Sequence, residues 1–184
     1  MINEVAIILS LTLAGTAAGV INTVAGGGSL ISLPIMILFG IPSTVANGTN
    51  RIAIIAQALP ATFVFFKKGY KDIKQSLYIA IALIPGAVLG ALAGVRMPDF
   101  IFNKILAVIM VIVAVSMAIR KYRHKNIYDT FAFSNNLKRK PLVYIMLIGI
   151  GFYGGFIHVG IGFLLMFVLS SIGGMNLIQT NMHK

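Results

Sequence analysis

Asn47, Asn50 and Arg51 follow the spacing i, i+3, i+4, which puts all three side chains on one face of a helix. A guanidinium flanked by two carboxamides is an anion-recognition set, because the planar fork makes paired hydrogen bonds to an oxyanion and the amides complete its shell. Lys184, preceded by His183, closes a second polar stretch, QTNMHK, that aligns with ANGTNR of Ala46 to Arg51. Upstream of each polar stretch lies a glycine-rich segment: GTAAGVINTVAGGG, with Asn22, Gly26, Gly27, Gly28 and then Ser29, and GFYGGFIHVGIG, with His158, Gly160 and Gly162. Three glycines in succession weaken a helix by ~1 kcal/mol each relative to alanine, so the first segment is expected to break. A helix reopening at Ser29 would aim its free N–H groups and positive dipole end at the gap, which favours an anion there.

Each residue also has a plainer reading. Gly15 and Gly19 could serve close helix packing, Asn47 and Asn50 interhelical hydrogen bonding, and Arg51 could snorkel to the interface. Asn22 and His158 align at an offset of 136 just before each break; His158 is either a proton carrier or a hydrogen-bonded core residue. His183 and Lys184 could be no more than chain-end residues in water. Gln57, nearly two helical turns beyond Arg51, is left outside the set. A cation at mid-membrane costs ~2.5–3.5 kcal/mol on insertion scales. Glu4, Asp72, Asp99 and Asp129 all fall at span ends or in loops, so no membrane carboxylate is at hand to balance Arg51.

The same scarcity excludes other chemistry. With no cysteine and four carboxylates, the chain offers no thiolate site, no paired-carboxylate acid and base, and no hard-metal cage. No nucleophile stands with a base, so an enzyme is not expected, and neither a cofactor nor a metal is called for.

These residues must be held by membrane helices. The chain is 58% hydrophobic and 10% charged, outside the range of soluble domains. No charged residue occurs between Val5 and Asn50, a run that as one helix would extend about 69 Å against a hydrocarbon core of about 30 Å. Proline, glycine and charge divide the chain into expected helices at Val5–Phe39 (broken), Ser43–Phe66, Gln75–Val95, Ile101–Ile119 and Leu142–Ile172 (broken), with a further start near Met175. The runs are continuously apolar rather than alternating, which argues against a β-barrel. The N-terminus lacks the basic start of a cleaved signal.

The fold class expected is therefore all-α: a polytopic helical membrane protein with two internal repeats containing glycine-broken helices. The first transmembrane repeat covers 1–120, a basic cytoplasmic linker 121–141, and the start of an incomplete second repeat 142–184. The net charge of +11 sits in loops 67–74 and 120–140, which places both on the cytoplasmic side and suits anionic lipid headgroups better than nucleic acid. Repeated transporters place their sites near the midplane, where discontinuous helices of both copies meet. Whether the copies are parallel or inverted, and whether the chain forms a homo-oligomer, stays open.

The motif AGxxNxxAGGGSLISLP (Ala18 to Pro34), followed by IPSTVANGTNRIAI (Ile41 to Ile54), resembles the sulfite exporter TauE/SafE family, and GFYGGFIHVGIGF with GGMNLIQTNMHK resembles its second half. The resemblance implies a seven- or eight-helix transporter of the bacterial inner membrane that exports sulfite, a sulfonate or a related organosulfur anion. It also implies several tens of residues beyond Lys184, since Met175 to Lys184 is too short to span, and so an incomplete second half. A passive anion channel and a non-transporting membrane scaffold are the alternatives.

Overall fold

The computed structural model describes residues 4–70, 72–123 and 140–184. Among them the chain forms eight helices and no strand: α1 (Glu4–Ala25), α2 (Ser29–Leu38), α3 (Ser43–Lys67), α4 (Ile73–Arg96), α5 (Asp99–Arg123), α6 (Lys140–Phe156), α7 (Ile161–Ser171) and α8 (Leu177–His183). Among the described residues four helices are long and apolar enough to cross a membrane: Glu4–Val24, Ser43–Lys67, Ile73–Arg96 and Asp99–Ser116. Both expected breaks occur, at residues 26–28 and 157–160. The fifth helix runs on through Arg120, Lys121 and Arg123, because lysine and arginine are good helix formers and suit a helix C-terminus. Most of the expected basic linker, residues 124–139, lies outside the described residues, as does Lys71 of the first basic loop.

Large apolar side chains face outward along the long helices; Leu13, Ile52, Leu59 and Val95 are all exposed. That pattern suits lipid, where an outward leucine costs nothing. The buried residues form two groups. One joins Leu33 of α2, Ala46 of α3, and Phe102 and Leu106 of α5 to Ile157 and Val159 in the second break. The other joins Ile79 of α4, Leu147 and Ile150 of α6, and Leu165, Val168 and Leu169 of α7.

The most extensive helix pair is α4 against α6. Gly86 and Gly90 of α4 and Gly151 and Gly155 of α6 form a shared notch. A Cβ on Gly86 would overlap the Ile148 carbonyl, one on Gly90 the Phe152 carbonyl, one on Gly151 the Leu83 carbonyl and one on Gly155 the Ala87 carbonyl. Backbone therefore packs on backbone at a distance that admits Cα–H···O contacts. By contrast Gly15, a candidate for close packing, has open space where a Cβ would stand, and Gly19 rests on Gln57.

Candidate functional site

The two breaks meet. A Cβ on Gly26 would lie 2.5 Å from the carbonyl carbon and 2.7 Å from the Cα of Gly162, so only a bare backbone fits on either side of this contact. Each break has one left-handed glycine, Gly26 with φ +76° and Gly160 with φ +68°. They do different jobs. Gly26 follows the last residue of α1 and its N–H donates to the Asn22 carbonyl at 2.9 Å, ending that helix; Gly160 precedes the first residue of α7 and starts the next one. The left-handed positions are thus 134 residues apart, and the gapless register of 136 does not superpose the two turns. Past Gly26 the chain doubles back: Gly28 sits against α1, where a Cβ would overlap the Ala18 carbonyl and come within 2.6 Å of the Asn22 Cβ. Neither α2 nor α7 has a side-chain cap at its N-terminus, nor does α3, whereas α4 and α8 are capped by Asp72 and Asn176.

Ending a helix inside the membrane frees backbone groups that need partners, and the polar residues of α3 supply them. Asn47 Nδ2 donates to the Phe156 carbonyl at 3.0 Å while its Oδ1 accepts from the His158 N–H at 3.2 Å, so one carboxamide bridges the second break. Asn50 Nδ2 donates to Ser29 Oγ at 2.9 Å and its Oδ1 accepts from Ser32 Oγ at 2.7 Å, which clasps the first turn of α2. Both carboxamides are buried. A single face of α3 therefore serves both breaks, as the i, i+3, i+4 spacing allows.

Arg51 turns inward rather than snorkelling. Its Nη2 donates to the Gly155 carbonyl in the last turn of α6, where the dipole end is negative. Its Nε is buried and has no hydrogen-bond partner among the described residues. Lys184 does the corresponding thing at the other break: Nζ donates to the Asn22 and Thr23 carbonyls, both at 3.1 Å, in the last turn of α1. Its stem passes over Gly162, whose Cβ would come within 3.0 Å of the Lys184 Cδ.

Of the other expected residues, Asn22 uses Nδ2 to reach Gln57 Oε1 at 3.2 Å, which brings Gln57 to the edge of the first break. His158 holds Nδ1 at 3.1 Å from the Gly154 carbonyl. A carbonyl only accepts, so Nδ1 carries the proton and Nε2 is the nitrogen left for other partners. His183 points away from both breaks to α4, with Nδ1 2.7 Å from Ser76 Oγ. Two contributors escaped the sequence reading. Tyr153 donates its hydroxyl to the Val159 carbonyl at 2.5 Å across the second break, and Ser32 completes the Asn50 clasp. A tyrosine within a glycine-rich segment was the available signal for the first; Ser32 carried none beyond its spacing from Ser29.

Among the described residues no group of histidines and carboxylates could hold a metal ion. The assembled site is two touching glycine turns, two uncapped helix N-termini, two cations and a carboxamide lattice.

A family profile described as "Sulfite exporter TauE/SafE" matches residues 11–184. Similar proteins include a "Probable membrane transporter protein ORF9" of Sinorhizobium sp, 28% identical over 175 residues that make up 94% of this chain and 64% of that protein. A "Probable membrane transporter protein" of Haemophilus influenzae is 29% identical over 92% of this chain and 64% of its own length. The "Probable membrane transporter protein YfcA" of Escherichia coli K12 is 23% identical over 90% of this chain and 60% of its own length. The chain thus spans a little under two thirds of these relatives. No solved structure matches it.

Proposed function

The chain belongs to the sulfite exporter TauE/SafE family, and we propose that it works as a membrane transporter, exporting a small sulfur-containing oxyanion such as sulfite or a sulfonate. The observation that carries the reading is the Arg51 guanidinium beside the touching breaks, with Nε buried and unpartnered. A buried N–H without an acceptor is costly, and an oxyanion would supply the acceptor. The uncapped starts of α2 and α7 add two positive dipole ends, and a second cation stands at Lys184. The substrate would sit against Gly26–Ser29 and Gly160–Gly162, with Arg51 as its principal charge partner and His158 Nε2 as a further hydrogen-bonding atom.

The two break-containing units read as duplicated copies that rock against each other to expose the site alternately. The protein would lie in the bacterial inner membrane with the basic loops 67–74 and 120–140 on the cytoplasmic side, against anionic headgroups. Uptake of radiolabelled sulfite into proteoliposomes tests the substrate reading. Arg51→Ala is expected to abolish saturable flux, and Thr49→Ala, on an exposed face of α3, to leave it intact. Wild-type flux in Arg51→Ala would remove Arg51 from the site; unitary currents in planar bilayers would replace a transporter with a channel.

A further inference from the structure

Arg51 and Lys184 are spent in the same way, and the partners are crossed. Arg51 lies on α3, downstream of the first break, yet it holds the Gly155 carbonyl at the end of the helix that leads into the second break. Lys184 lies downstream of the second break, yet it holds the Asn22 and Thr23 carbonyls at the end of the helix that leads into the first. The Lys184 stem rests on Gly162 where Gly26 touches it, and Arg51 reaches from α3 to the last turn of α6 just before the second break.

The last carbonyls of a helix carry the negative dipole end, and the Asn22 carbonyl, which already accepts from the Gly26 N–H at 2.9 Å, has a second lone pair for Lys184. Inside a membrane, with Asp72 and Asp99 at helix starts and Glu4 at the beginning of α1, these carbonyls are the counter-charge that the sequence lacked. In many discontinuous-helix transporters such unwound carbonyls hold a mobile cation. Here the space is filled by covalently attached ones. We propose that Arg51 and Lys184 are tethered cations, each occupying the carbonyl end of the opposite broken helix, and that together they latch the two units across the Gly26–Gly162 contact. A second consequence follows: the Asn22 and Thr23 carbonyls form a cradle for a monovalent cation, which accepts a free ammonium-type ion once the lysine is shortened.

The crossing makes the inference testable without any transported substrate, so it stands or falls separately from the transport reading, which concerns the same residues. Amide hydrogen exchange is followed by mass spectrometry on the full chain in detergent micelles. Lys184→Ala is expected to raise exchange about fivefold or more at residues 22–29 and to leave 154–162 as in the wild type, while Arg51→Ala does the reverse. Methylammonium should restore protection at 22–29 in Lys184→Ala, and guanidinium at 154–162 in Arg51→Ala; choline, too bulky for a carbonyl cradle, should restore neither. Arg51→Lys and Lys184→Arg keep a tethered charge and should remain near wild type, which separates loss of the latch from general misfolding. Loosening of both breaks together, of the break nearest in sequence to each substitution, or of neither would overturn the latch. Failure of methylammonium alongside the crossed pattern would overturn the cradle.

Discussion

Replacing Asn47 by alanine removes both hydrogen bonds that bridge the second break, the donation to the Phe156 carbonyl and the acceptance from the His158 N–H. Asn47 is buried, so two backbone groups lose their partner at once. An unsatisfied buried group costs about 1–3 kcal/mol, whereas interhelical hydrogen bonds measured in a membrane protein average only about 0.6 kcal/mol because the unfolded reference finds other partners. Asn47 is 5% exposed and its partners are a carbonyl that needs a donor and an N–H that needs an acceptor, both at the broken end of α6. That places the expected loss toward the upper range, about 2–4 kcal/mol for the pair. The assay is unfolding in mixed micelles of rising SDS fraction, followed by far-ultraviolet circular dichroism, since the chain has no tryptophan or cysteine to report by fluorescence or thiol labelling. Asn47→Leu fills the space but makes neither bond, so it should be as unstable as Asn47→Ala. Thr49→Ala, one residue pair away on the exposed face, should stay within about 0.5 kcal/mol of wild type. If Asn47→Ala also falls within that margin, the break is not held by this carboxamide and the account of its backbone partners is wrong. If Asn47→Leu alone is wild type, the loss in Asn47→Ala is a cavity effect.

The notch between α4 and α6 predicts that Gly90→Ala forces the helices apart against the Phe152 carbonyl and lowers stability in the same SDS titration by about 1–3 kcal/mol. Gly149→Ala, where a Cβ meets open space on the partner helix α6, should be neutral or gain up to about 1 kcal/mol from helix propensity; equal losses at both positions would refute close packing. At the breaks, Gly26→Ala combines a left-handed φ with a Cβ 2.5 Å from Gly162, and Gly40→Ala has a similar φ of +84° in open space. Thermal aggregation in detergent should therefore show Gly40→Ala costing the backbone strain alone, about 1–2 kcal/mol, and Gly26→Ala clearly more; matching losses would mean that the two breaks do not touch.

Much of the helix pattern was legible in the residues. The expected span Ser43–Phe66 differs from α3 by one residue, and Ser29 does open α2. These features are local: a continuous apolar run must satisfy its own backbone in lipid, and three adjacent glycines end a helix wherever it goes. The common face of Asn47, Asn50 and Arg51 was equally readable, because 3.6-residue periodicity needs no neighbour to define it. The partners of that face were not. Arg51 was expected to seek an anion or the interface, and it holds the Gly155 carbonyl, more than a hundred residues away.

Sequence by itself determined that this chain is a helical membrane protein of the TauE/SafE family, where its helices break, and which cations lie after each break. Tertiary structure decided that Gly26 meets Gly162, that α4 nests on α6 through Gly86, Gly90, Gly151 and Gly155, and that Arg51 and Lys184 each reach the opposite break. The reason is the solvent. In lipid one apolar helix face attracts another no more than it attracts acyl chains, so hydrophobic pattern carries little information about pairing. Pairing is settled by which backbones can approach closely and which freed carbonyls find a donor, and those are properties of segments brought together, not of any one segment.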